Sequence, residues 1–326
     1  MKRNALLLAL LLVLPACGTD PGGEATTTVG EPGTTEARMT TSAPATGTTT
    51  PAFPVTVDAD NGQVTVEESP ESIVSLSSVA TEMLFAMGAG DQVVAVDDQS
   101  NYPEDAPVTD LSGFTPNVEA ILAHEPDLVV ISYDPGHLVA SLEAAGVPVL
   151  SYGAALTLDD TFRQIEALGT ATGHVEDAVV LNESIQTDLE EIVADAPDVA
   201  EGTSYYHEID NTFYSATSTS FIGQIYALFG LDNIADPADA DGAAFGYPQL
   251  SAEFIVSADP DLIFLANTSY GETPETVAAR PGWDALSAVQ DGNVVPLDSD
   301  VASRWGPRVV DFAQAVSDAL TEYAGA

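Results

Sequence analysis

Lysine is almost missing from this chain of 326 residues: Lys2 stands alone, and with the arginines it gives seven bases against 51 acids, a formal charge of −44. Nucleic-acid binders draw their affinity from lysine and arginine neutralising phosphates, so no nucleic-acid partner is expected. Cysteine is as scarce, Cys17 being the only one, and no intrachain disulfide can form. An ordinary apolar core must therefore hold the fold. Gly-x-Ser-x-Gly, Ser-x-x-Lys and a phosphate-cradling glycine loop with its lysine are all absent, and the body has no cysteine nucleophile. Nothing here suggests an enzyme or a resident cofactor. Histidine is limited to His124, His137, His174 and His207, with no histidine-rich loop. A receptor for free Zn²⁺ or Mn²⁺, which needs converging His and carboxylate ligands, is kept only as an alternative, and no metal ligands are assigned.

At the N-terminus, Lys2 and Arg3 precede an apolar run over residues 5–13, too short to span a bilayer and suited to a secretory signal. Leu14-Pro15-Ala16-Cys17 resembles the bacterial lipobox, which implies a signal peptide over 1–16 and a lipid on Cys17. Residues 17–52 are rich in Thr, Gly, Pro, Ser, Ala and Glu with few large apolar side chains, a composition that reads as a disordered tether. The expected location is extracytoplasmic, lipid-anchored to the outer face of the cytoplasmic membrane. Acids in the rest of the chain are interleaved with apolar residues and read as a solubility shell.

Roughly 270 residues remain, more than one small core organises, so two lobes are expected. Val55-Thr56-Val57 and Val64-Thr65-Val66 flank a turn containing Asn61-Gly62, which predicts a hairpin. Short apolar strands at 73–76, 93–96, 127–131 and 147–150 alternate with helical patterns at 81–87, 118–124 and 138–145. That alternation predicts a parallel sheet covered on both faces. Asp159 or Asp160 is placed to cap the next helix. The stretch 175–196 lacks glycine and proline and predicts one helix of about 30 Å. Strands at 204–206, 262–265 and 294–297 and helices at 221–229 and 308–323 follow. The predicted class is α/β: two Rossmann-like lobes with central parallel sheets, at 53–156 and 198–326, joined through 157–197 by one long backbone helix, with a ligand cleft between them.

Several motifs follow one another in order: Ile73-Val74-Ser75-Leu76-Ser77-Ser78-Val79-Ala80-Thr81-Glu82, Asn117-Val118-Glu119-Ala120-Ile121 with Glu125-Pro126-Asp127-Leu128, and Pro248-Gln249-Leu250-Ser251-Ala252-Glu253 with Asp259-Pro260-Asp261-Leu262. Pro281-Gly282-Trp283 and the segment from Asp300 to Gly306-Pro307-Arg308 complete the series. Together they resemble the periplasmic binding proteins for vitamin B12 and iron-siderophores, whose lobes are joined by one backbone helix.

The resemblance implies capture of a metal chelate, a hydroxamate-type ferric siderophore or a corrinoid, by a monomer serving an ABC permease with its cytoplasmic ATPase. A haem receptor of the same fold is the other alternative. By the same resemblance, ligand lies between aromatic walls: Gln99, Tyr102 beside Asn101, Phe114 and Tyr133 on one lobe, Phe213, Tyr214 and Tyr247 on the other. Asp300 and Arg304 match a family pair that reaches the ligand from the last strand-to-helix loop, and Glu119 and Glu253 match glutamates that dock the permease. Lysine is absent from the body and arginines are few, which favours a neutral or weakly charged ligand over a highly anionic tricatecholate.

Overall fold

The computed structural model describes residues 52–199 and 202–325. The signal peptide expected at 1–16, the lipidated Cys17 and nearly all of the tether lie outside the described residues. The body opens with the hairpin β1 (Val55–Ala59) and β2 (Gly62–Val66), paired antiparallel with Val57 opposite Val64. Val57, Val64 and Val66 are buried while the alternate residues face outward, as a half-buried ribbon requires.

The first lobe then runs β3 (Ile73–Leu76), α1 (Ser78–Ala86), β4 (Val93–Asp97), β5 (Val108–Leu111), α2 (Val118–Leu122), β6 (Leu128–Ile131), α3 (Leu138–Ala144) and β7 (Val149–Ser151). Its five strands are parallel in the order β5-β4-β3-β6-β7. Every residue of β3 and β6 is buried, which is why these strands read as continuous apolar runs. The hairpin turn clasps the β7 edge: Asp60 N–H donates to Ser151 O at 2.9 Å, and the Asn61 amide donates to Val149 O and accepts from Ser151 N–H.

Two helices follow, α4 (Leu158–Thr172) and α5 (Val175–Asp195), and pack against each other. Thr157 caps α4 and Asp160 closes the capping box, so the cap lies upstream of the aspartates expected to supply it. Gly169 is required at the crossing, because a Cβ there would come 2.4 Å from the Ala178 Cβ. α4 lies against α1 and β1 of the first lobe, and α5 carries the chain on to the second.

The second lobe contains β8 (Ser204–Glu208), α6 (Phe221–Leu228), β9 (Asp232–Asn233), α7 (Ala252–Ala258), β10 (Leu262–Leu265), α8 (Pro274–Ala278), α9 (Ser287–Gln290), β11 (Val294–Pro296) and α10 (Val309–Gly325). Its strands are parallel in the order β11-β10-β8-β9. α10 packs on α5 and α6, and buried side chains of both lobes join in one apolar cluster through these helices. The C-terminal ends of the two sheets face each other. The loop after β11 bonds to α1 and to the loop after β4, and Gln224 of α6 donates to Leu156 O in the loop after β7.

Candidate ligand cleft

Open parallel sheets place their ligand sites beyond the carboxyl ends of the strands, where neighbouring connections diverge. A cavity of about 200 Å³ lies there against the first lobe, at the switch point between β3 and β6. Ser77 follows β3 and caps α1 by accepting from Ala80 N–H, while Ser132, after β6, donates to the Ser77 hydroxyl oxygen at 2.6 Å. Gly113 comes so close to the end of β3 that a Cβ would lie 2.7 Å from Leu76 O and 2.9 Å from Asp97 Oδ2. This close approach sets Phe114 on the rim, where its ring stacks on Tyr133 at 5.4 Å between centroids. The two rings are 61% and 51% exposed, an apolar face turned to the opening. Asp97 lines the same cavity; burial raises its carboxyl above the ordinary value, and the Ser100 hydroxyl, donating at 2.7 Å, restrains the rise.

Asp300 and Arg304 enter from the loop after β11 and also line the cavity. The Arg304 guanidinium meets Asp300 at 3.0 Å, the two residues that the resemblance brings together, but its shortest contact is Glu82 Oε1 at 2.7 Å. It donates further to Asn101 Oδ1 and Gln99 O, which leaves Arg304 nine-tenths buried. Arg308 reaches the same Glu82 carboxylate through Nε and Nη2, at 3.1 and 2.6 Å, and its guanidinium lies 4.4 Å above the Tyr102 ring. Burial alone would lower the Arg308 pKa, and the Glu82 carboxylate reverses this, holding it above the ordinary value. Gln99 remains exposed, and Asn101 donates to Asp300 Oδ2 at 2.8 Å. Glu82, buried on α1, is thus the centre of a charged clasp between the lobes that the sequence reading passed over.

On the second lobe, Phe213 adopts φ +70° and is half-buried, its ring stacked on Trp283 at 5.7 Å and facing the Arg280 guanidinium. Tyr214 and Tyr247 are exposed, on two segments held together by the Tyr214 to Gln249 bridge and by Ser215 N–H donating to Pro248 O. Arg280 is bidentate to the buried Glu208 at 2.6 Å for both bonds and bonds Glu272 at 2.8 Å. With Arg163 on Asp160, every arginine among the described residues is paired with a carboxylate.

Seven aromatic side chains among the described residues are exposed: Tyr102, Phe114, Tyr133, Tyr214, Phe245, Tyr247 and Tyr270. All seven sit on loops leaving the C-terminal ends of strands, after β4, β5, β6, β8, β9 and β10. Residues 73–301 of this two-lobed chain match the periplasmic binding protein family. The chain belongs to that family. An uncharacterized ABC transporter substrate-binding lipoprotein of Bacillus subtilis is 30% identical over 281 residues, covering 83% of this chain and 87% of the relative. A cobalamin-binding protein of Halobacterium salinarum is 32% identical over 272 residues, 80% of this chain and 72% of that one. The crystal structure of the periplasmic vitamin B12 binding protein of Vibrio cholerae superposes with a TM-score of 0.64 at 26% identity, over 79% of this chain and 99% of that one.

The periplasmic binding protein family is one of binding proteins, not of catalysts. In this member, Glu119 and Glu253 occupy matching places, both exposed in the first turns of α2 and α7, whose N-caps are Asn117 and Ser251. Among the described residues no group of three or more His, Cys, Asp or Glu is placed to hold a metal ion, and no helix is long and apolar enough to cross a membrane. His207 is buried, its Nδ1 2.9 Å from the Tyr226 hydroxyl, and burial pushes the imidazole pKa down to about 3. It is a core residue.

Proposed function

We propose that this protein receives a metal chelate for an ABC importer, and that the chelate is a corrinoid or a hydroxamate-type ferric siderophore. The observation that carries the reading is the confinement of every exposed aromatic ring among the described residues to the two facing loop sets. Scattered exposed aromatics would need no explanation, whereas rings gathered at one rim suit a bulky ligand with apolar outer surface. Ligand pockets commonly measure about 300–1,000 Å³. The cavity beneath Phe114 is smaller, about 200 Å³, so a chelate of this class rests on it and extends toward Tyr214 and Tyr247. Ligand charge follows from the arginines. Arg280 and Arg304 already neutralise Glu208 and Glu82, so an anionic chelate, including haem with its carboxylates, meets no uncommitted cation among the described residues.

In this reading Gln99, Tyr102, Phe114, Tyr133, Tyr214 and Tyr247 touch the ligand, while Asp300 and Arg304 shape the floor and Phe213 supports Tyr214. Glu119 and Glu253 dock a membrane permease driven by a cytoplasmic ATPase, and a lipid on Cys17 holds a monomer at the outer face of the membrane. Quenching of intrinsic fluorescence across cobalamins, haem, ferric trihydroxamates and a ferric tricatecholate tests the proposal. Saturable binding at micromolar concentration or below is expected for a neutral chelate, and silence from the whole panel refutes it.

A further inference from the structure

Phe245 combines two unfavourable features: its side chain is 87% exposed, and its backbone is left-handed at φ +53°. Water disfavours the first, and the clash of Cβ with the carbonyl disfavours the second in a bulky residue. Residues persist in such conformations only where their surroundings over-determine them, and they gather at ligand clamps and switches.

The surroundings here are built for the purpose. Asp239, itself nine-tenths buried, accepts Ala244 N–H on Oδ1 and Gly246 N–H on Oδ2, both at 2.7 Å, gripping the chain on either side of Phe245. Gly246 follows at φ +87°, where a Cβ would lie 3.3 Å from Ser220 Cβ, and its carbonyl accepts Thr217 N–H at 2.8 Å. The loop is pinned at Asp239, Ala244 and Gly246, and the benzyl group is left outside it. Tyr270 is equally exposed, but the positive φ in its turn falls on Gly271, so strain singles out Phe245.

The loop leaves β9, on the sheet end that faces the first lobe, and continues directly into Tyr247. We propose that Phe245 is a preset stacking residue for the ligand, offering a rigid aromatic face to an apolar, ring-sized surface of the chelate. The inference rests on the chelate reading above and adds to it a recognition residue and the kind of ligand surface it meets. Because the ring is held before binding, little rotamer or loop freedom is lost when ligand arrives.

The test compares wild type with Phe245→Ala, Phe245→Gly and Phe245→Trp, using cyanocobalamin and a ferric trihydroxamate as probes, with Kd from fluorescence titration and Tm from thermal melts. Loss of a stacked ring weakens binding by about tenfold in the alanine and glycine variants, and tryptophan retains it. Tm is unchanged or higher in Phe245→Gly, since glycine adopts positive φ without strain. A residue serving the fold would show the opposite, a lower Tm. Wild-type binding with Kd unchanged in Phe245→Ala overturns the inference alone, even if uptake falls, because the ring would then serve the permease. A lowered Tm in Phe245→Gly overturns it as well. Wild-type silence toward both probes overturns the chelate reading and this inference together.

Discussion

Glu82 sits in an apolar stretch, Met83-Leu84-Phe85-Ala86-Met87 following it directly, yet it is almost completely buried. Two guanidinium groups from the other lobe make that burial tolerable, and neither has another carboxylate of equal proximity. Truncating one partner of a buried ion pair leaves charge uncompensated and typically costs about 3–5 kcal/mol. Glu82→Ala is therefore expected to lower unfolding free energy by about that much in urea titrations. His207 predicts a pH effect. Its folded pKa, about 3, lies below the ordinary 6.5, so between these values the unfolded chain takes up a proton that the folded one refuses. The stabilisation is complete above pH 6.5 and is lost as pH falls toward 3, at up to about 1.4 kcal/mol per pH unit. His207→Asn, which retains a partner for the Tyr226 hydroxyl and does not titrate, should show a shallower acid decline in parallel melts at pH 7, 5.5 and 4. At this scale Phe114 and Tyr133 were placed at the ligand by the family resemblance alone: Tyr133 follows the apolar β6, but Phe114 follows β5, which carries no apolar run. Glu82 offered a signal, a lone acid in an apolar helix, but its partners lie more than 200 residues away and only folding joins them. Phe245 gave less, since Ala243-Ala244-Phe245-Gly246 looks like any loop until Asp239 is seen to hold it.

Among the elements, the pair α4 and α5 decides how the lobes are held. Gly169 allows backbone and Ala178 to meet, and a methyl group at 2.4 Å has no room. Overpacking of this kind costs about 1–3 kcal/mol, so Gly169→Ala should lower the urea midpoint although alanine is the better helix former. An increase in stability would mean that the crossing is looser than described. Of the two, the long helix was readable from length, periodicity and the absence of breakers, and it falls at Val175–Asp195 against the 175–196 expected, whereas α4, which contains Gly169, was expected only as a helix capped by Asp159 or Asp160. Other elements were hidden for physical reasons. β5 is Val-Thr-Asp-Leu with only Leu111 buried, so it lacks the apolar run that marks a parallel strand, and it pairs with β4 through an irregular register. α2 stops at Leu122, short of His124, because Glu125 turns to φ +50° ahead of Pro126, where the helical conformation is disfavoured.

For the whole molecule, alternation of strand and helix announced two parallel sheets, but strand order and the facing of the sheet ends depend on long-range contacts that no local pattern encodes. The 51 acids gave no hint of the cleft; only the few arginines did, and as partners for buried carboxylates more than as ligand groups. The proposed docking role of Glu119 and Glu253 belongs to this scale, since it pairs an exposed carboxylate of one lobe with an exposed carboxylate of the other. Charge complementarity sets orientation and encounter rate between partners. The double variant Glu119→Lys, Glu253→Lys is expected to abolish chelate uptake in cells while Kd in solution stays as in wild type, and normal uptake removes the idea. The hairpin at the start of the body has a consequence for many copies together. By fastening its turn to β7 it closes one rim of the five-stranded sheet, the place where a neighbour could otherwise continue the ladder. Copies crowded along a common surface would jostle there without a seam to stitch them into a polymer.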